Sequence, residues 1–170
     1  MTSNTSTFEE FLASISPFDR LEGGVIERMA AKLEPLRYRM GQAILVKETL
    51  PARIAILHTG QARLLGYAPG AAAPETLQLL KPGEILGWTS LVRGVACETA
   101  IACDETLCLT LKATDFLALL EEDEEVRRWG DREKELLRDN AQVGRLRSGE
   151  NNFTPSPHHH SLSISATTVA

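Results

Sequence analysis

The chain has few aromatic residues, 5% of 170, with two Trp and two Tyr. It also lacks the motifs of covalent and hydrolytic catalysis. There is no Gly-x-Ser-x-Gly, no His-Glu-x-x-His and no Walker loop, so acyl transfer, zinc hydrolysis and nucleotide hydrolysis are without their usual residues. We expect no enzyme. The three cysteines, Cys97, Cys103 and Cys108, are an odd number with no Cys-x-x-Cys pair, and no secretory leader precedes them. They read as reduced thiols in a cytoplasmic protein rather than a disulfide framework or a zinc site. No stretch approaches the roughly 18 apolar residues of a membrane span, so no membrane insertion is expected. Positive charge is scarce too: the formal net charge is −5 and the longest basic run is Arg127-Arg128. Binding to a phosphate backbone needs a clustered positive face, so no nucleic-acid partner is expected.

What the chain does have is 43% hydrophobic and 24% charged residues, ordinary for a domain with a real core. The length accommodates one domain and a tail. Ser6-Thr7-Phe8-Glu9 fits a capping box, and Phe8, Phe11, Leu12 and Ile15 follow at helical spacing. A second helix is predicted from Glu22 to Leu33, stopped by Pro35. Beyond Leu36 the period shortens to two. Strands are predicted at 37–40, 43–47, 53–58, 61–67, 76–80, 99–103 and 106–111, punctuated by Gly41, Gly60, Gly83 and Gly87. Many short, evenly spaced strands indicate a sandwich or jelly-roll barrel. Phe116 to Leu120 reads as a short helix. The acidic run 121–125 begins a longer one to about Gln142, with Gly130 expected to interrupt it. The expected organisation is N-terminal helices over 1–35, a β-roll over 36–112, C-terminal helices over 113–143 and a disordered linker over 144–170. The fold class is α+β, mainly β: a double-stranded β-helix flanked by helices.

The organising stretch is Lys81 to Ala102, KPGEILGWTSLVRGVACETAIA. A turn at Lys81-Pro82-Gly83 leads through Ile85-Leu86 to Gly87, then about one helical turn, a loop and a strand-like alternation. Such an order makes an anion cradle: glycine admits close approach of a ligand, and the unpaired amides of a helix start favour negative charge.

This stretch resembles the phosphate-binding cassette of the cyclic-nucleotide-binding domain family. Gly83, Glu84, Ile85, Gly87, Leu91, Thr99 and Ala100 fall on its pattern. Tyr38-x-x-Gly41-x-x-Ile44 and Leu57-x-x-Gly60-x-x-Arg63 are similar to the family's β-roll, so the resemblance runs over about residues 8 to 140. It implies ligand-binding residues at Gly87, Trp88, Thr89, Ser90, Leu91, Arg93, Glu98 and Thr99.

Two of these depart from the family pattern. Trp88 stands where the family has a Glu that accepts from the sugar hydroxyl, and an indole has no acceptor. Glu98 stands where the family has the Arg that pairs with the cyclic phosphate. Two like charges at close range repel by about 4 kcal/mol at an effective dielectric near 20, or about three orders of magnitude in affinity. A degenerate cradle is therefore expected, and no cofactor is assigned. Arg93 could serve as a substitute cation or be a solvated loop residue. Trp88 could plug the pocket or, with Glu98, receive a flat cationic or neutral ligand.

His58 could be a packed strand histidine or, less simply, a haem ligand. His158 to His160 lie in the tail and lack the fixed geometry of a metal site. A regulatory or docking module is the first reading and a working nucleotide sensor the second. The third is a transcription regulator, which would need a helix-turn-helix where only linker composition follows Gln142. The run HTGQARLLGY and LQLLKPGEILGWTSLVRG also resembles the N-terminal domain of some cyanobacterial peptidase-containing ABC exporters. It implies a cytoplasmic sensory module joined to the rest of a larger protein. The resemblance also suggests pairing through the last helix. The step from Val126 to Trp129 fits a coiled-coil seam, but Glu133 and Asn140 fall on seam positions, so a monomer or weak homodimer is expected.

Overall fold

In the computed structural model, residues 3–66 and 69–147 are described. The chain divides into a compact unit, residues 1–132, and a second unit from residue 133 onward. All the strands lie in the first unit. The expected disorder of the tail beyond residue 147 and the histidine run at 158–160 lie outside the described residues.

Helix α1 spans Ser3–Ala13 and α2 spans Gly23–Lys32. The first starts ahead of the Ser6 cap that the sequence suggests, so Ser6 lies inside the helix. The two helices are in contact, and Leu12 of the first and Ile26, Met29 and Ala30 of the second are buried.

Eight strands follow: β1 Glu34–Tyr38, β2 Ala43–Leu45, β3 Arg53–Thr59, β4 Ala62–Gly66, β5 Glu75–Leu80, β6 Ile85–Leu86, β7 Thr99–Ala102 and β8 Thr106–Lys112. They form two four-stranded antiparallel sheets, ordered β1-β8-β3-β6 and β2-β7-β4-β5. This is the expected β-roll with two differences: the apolar step Ile85-Leu86 pairs with β3 as an eighth strand, and the entry to the roll is shifted. Strand β1 begins before Pro35 rather than after it, and Pro35 sits opposite Leu109. A residue without an N–H is tolerated there because β1 pairs only with β8, at the sheet edge.

The roll closes on a core of Leu45, Ala55, Leu57, Ala62, Leu80, Leu86, Ala100 and Cys108, with Tyr38, Ile44 and Leu64 packed against it. The alternation of β8 is visible here, since Cys108 points into this core while Leu109 and Leu111 are buried on its other face. At the β7–β8 turn Asp104 is a clamp. One of its carboxylate oxygens accepts from the Gln61 amide at 2.9 Å and from the Thr106 hydroxyl at 3.1 Å.

Helix α3, Trp88–Arg93, interrupts the roll between β6 and β7. After β8 come α4, Ala113–Glu122, and α5, Glu124–Arg147. Asp123 caps α5, its carboxylate accepting from the Glu125 amide at 3.0 Å and the Val126 amide at 3.1 Å. Gly130 does not break the helix, contrary to the sequence expectation. A Cβ at Gly130 would stand 3.1 Å from Leu120 Cδ2, so the glycine serves the close approach of α4 and α5. Among the described residues no helix is long and apolar enough to cross a membrane, and no cluster of His, Cys, Asp and Glu could hold a metal ion.

Candidate functional site

The cradle is built by β6, α3 and the start of β7. Gly87, the residue before α3, has φ +87°. A side chain there would be strained, and its Cβ would press within 3.3 Å of Leu45 Cδ2 and 3.4 Å of the Arg53 carbonyl. Glycine thus lets the helix start sit directly on β3. From this start Trp88, Thr89, Ser90 and Leu91 are all buried. The sequence-predicted residues Gly87, Trp88, Thr89, Ser90, Leu91, Glu98 and Thr99 therefore belong to one structural feature, a helical turn closed by the incoming strand. Arg93 is different: it is exposed at the far end of α3.

Ser90 is the hub of the cradle. Its hydroxyl donates to Glu98 Oε2 at 3.3 Å and accepts from the Cys97 amide at 3.2 Å, with the Cys97 sulfur 3.4 Å away. The Thr89 hydroxyl and the amides of Ser90 and Gly87 also favour the ionised Glu98. Of these groups the Ser90 hydroxyl stands within hydrogen-bond distance of the carboxylate. Burial outweighs them, because it penalises the charged form, and the Glu98 carboxyl is held above its ordinary pKa. Among the described residues no guanidinium acts on it. Thr99, half-buried, accepts from the Lys47 amide at 3.1 Å and ties the β2–β3 connection to the start of β7.

Trp88 is 9% exposed, and its ring centroid lies 4.9 Å from that of Trp129 in α5. The sequence could not show this partnership, since nothing in the spacing of the two tryptophans links a cassette loop to a distant helix. His58 is packed: its ring meets Phe11 edge-on at 4.5 Å, and its Nδ1 is buried without a hydrogen-bond partner among the described residues.

A sequence model of the cyclic nucleotide-binding domain matches residues 35–123, more than half of the chain. No curated protein matches it. Among solved structures, the Thermus thermophilus catabolite activator protein superposes with a TM-score of 0.65 at 24% identity, over 81% of this chain and 63% of that one. The regulatory domain of Toxoplasma gondii PKA, co-crystallised with cAMP, gives 0.70 at 19% identity, over 79% and 51%. A cyclic nucleotide-binding-like protein from Brucella abortus gives 0.56 at 23% identity, over 68% of this chain and 99% of that one. At these identities the likeness is one of fold. The chain spans less than two thirds of the first two structures.

Proposed function

Since the chain belongs to the cyclic nucleotide-binding domain family, we propose that it is a regulatory module whose phosphate cradle is engaged by its own Glu98. A cyclic nucleotide is then not taken up in the family's usual way. The observation that carries this reading is the Ser90 hydroxyl donating to the Glu98 carboxylate at 3.3 Å, with the Thr89 hydroxyl and the amides of Ser90 and Gly87 placed to favour its ionised form. These are the groups an incoming phosphate would need. The residues present do not fit a cyclic nucleotide, because its phosphate would meet a carboxylate and its ribose an indole that cannot accept a hydrogen bond.

A domain of this kind acts by contact with other parts of a protein. The greater length of the catabolite activator and PKA structures supports a module within a larger chain. The ABC exporter setting rests on the sequence resemblance alone, and neither the catabolite activator, the PKA domain nor the Brucella protein is an exporter. No catalytic role is proposed.

Calorimetric titration with cyclic AMP and cyclic GMP tests the reading. The native chain should show no saturable heat at micromolar ligand. The double variant Trp88→Glu, Glu98→Arg should gain binding. Tight binding by the native chain that disappears in Arg93→Ala would overturn the proposal and make Arg93 the phosphate partner of a working sensor.

A further inference from the structure

A cavity of about 310 Å³ lies behind the cradle, under the β2–β3 connection. Its wall includes Tyr38, Leu45, Ala55 and Thr110. Leu36, Val46 and Leu50 also line it and are 41%, 41% and 46% exposed. Three large apolar side chains left half in water around one concavity are a hydrophobic mouth.

Two of the polar groups of the cavity are committed. Thr110 donates its hydroxyl proton to the Glu34 carbonyl at 2.8 Å. The Arg53 guanidinium pairs with the Glu34 carboxylate at 2.6 Å, so its charge is already met. Tyr38 differs. Its half-buried phenol has no hydrogen-bond partner among the described residues, and burial, the largest influence, raises its pKa. The cavity therefore offers mainly hydrocarbon walls, with the Tyr38 phenol as the donor at its half-buried wall and the Thr49 hydroxyl at its exposed rim.

We infer that this cavity is a second binding site, for an uncharged, mainly apolar molecule of about two fused rings carrying one oxygen that accepts from Tyr38. Size follows from volume: an apolar cavity of about 150 Å³ holds benzene, and this one is about twice that. Neutrality follows from the Arg53–Glu34 pair, which leaves no unmet charge to offset the desolvation of an ion. The site also shares a wall with the cradle. Leu45 and Pro51 line the cavity, and a Cβ on Gly87 would stand 3.3 Å from Leu45 and 3.5 Å from Pro51. Occupancy would thus press on the residue from which the cradle helix starts.

The test is methyl-resolved NMR of the full chain titrated with 1-methoxynaphthalene, and with 1-methylnaphthalene as the near-isostere without an oxygen. Saturable shifts at the Ile44, Val46 and Leu50 methyls are expected for both. Tyr38→Phe should weaken the methoxy compound about fivefold and leave the methyl compound unchanged, as loss of one hydrogen bond requires. Leu50→Asp, on the exposed mouth, should weaken both more than tenfold while the Leu57 and Leu109 methyls keep their native positions. Shifts centred on the Trp88 and Trp129 indoles would place the compounds in the cradle and overturn the inference. So would shifts that never saturate, or mouth resonances that move with protein concentration alone, the mark of a second copy covering the site.

Discussion

Trp88 and Trp129 stack at a tilt of 55° with their centroids 4.9 Å apart, so the first residue of the cradle helix and the second turn of α5 share one apolar contact. Each ring is 9% exposed. Truncating either to Ala should cost about 3 kcal/mol in urea unfolding, the usual loss for a buried aromatic. The double variant should cost about 1 kcal/mol less than the sum, because an aromatic pair contributes beyond its burial. Strict additivity would show that the rings are neighbours without coupling.

The pH dependence of stability should carry the signature of Glu98. Its carboxyl is raised in the folded state by burial. Below the ordinary carboxylate pKa both states are protonated and the contribution is fully present. As pH rises from that value to the folded one, the unfolded chain loses its proton first and stability falls; above the folded pKa it levels off. Glu98→Gln should flatten this limb and raise the melting temperature on its high-pH side. An unchanged pH profile in the variant would count against a buried carboxylate in the cradle.

The three thiols should react in order of exposure. Cys97 is exposed, Cys103 intermediate and Cys108 buried, with burial pushing the Cys108 pKa to about 12. Since the thiolate is the nucleophile, iodoacetamide at pH 8 should label Cys97 first and Cys108 only on unfolding. Mass mapping of the labelled peptides reads this directly, and early labelling of Cys108 would mean that the roll opens in the native state.

Self-association should be weak. Val126 is fully buried and Trp129 is stacked on Trp88, so both are spent inside the compact unit and are missing from the seam that the sequence suggests. Leu136 is left 56% exposed. Sedimentation at low micromolar concentration should give a monomer or a weak dimer. A stable dimer that Leu136→Lys dissociates would refute this.

The roll was legible because its signals are local. The change of period at Leu36 and the glycines at turns mark strands without reference to the rest of the chain. The cradle was legible as a segment, and Glu98 as a departure within it. What could not be read is where that carboxylate goes, because its place depends on how the loop of residues 94–98 folds back on Ser90. The strand that begins before Pro35 depends on its edge position, a property of the sheet order and not of the residue. Gly130 reads as a helix breaker until Leu120 is seen against it. The cavity behind the cradle gathers residues from β1, β2, β3 and β8, and no window of sequence contains them together.

A carboxylate carried on the chain never diffuses away from the amides and hydroxyls it meets. Its contact with the Ser90 hydroxyl is intramolecular, and short flexible tethers present their groups at an effective concentration in the millimolar range. Any external anion competes with that standing concentration and binds only the fraction of molecules whose Glu98 has turned away. If that fraction is about 1%, apparent affinity falls about 100-fold with no change in the contacts the anion itself makes. The cradle then answers less to the amount of an anion than to whatever protonates, pulls or holds Glu98 aside.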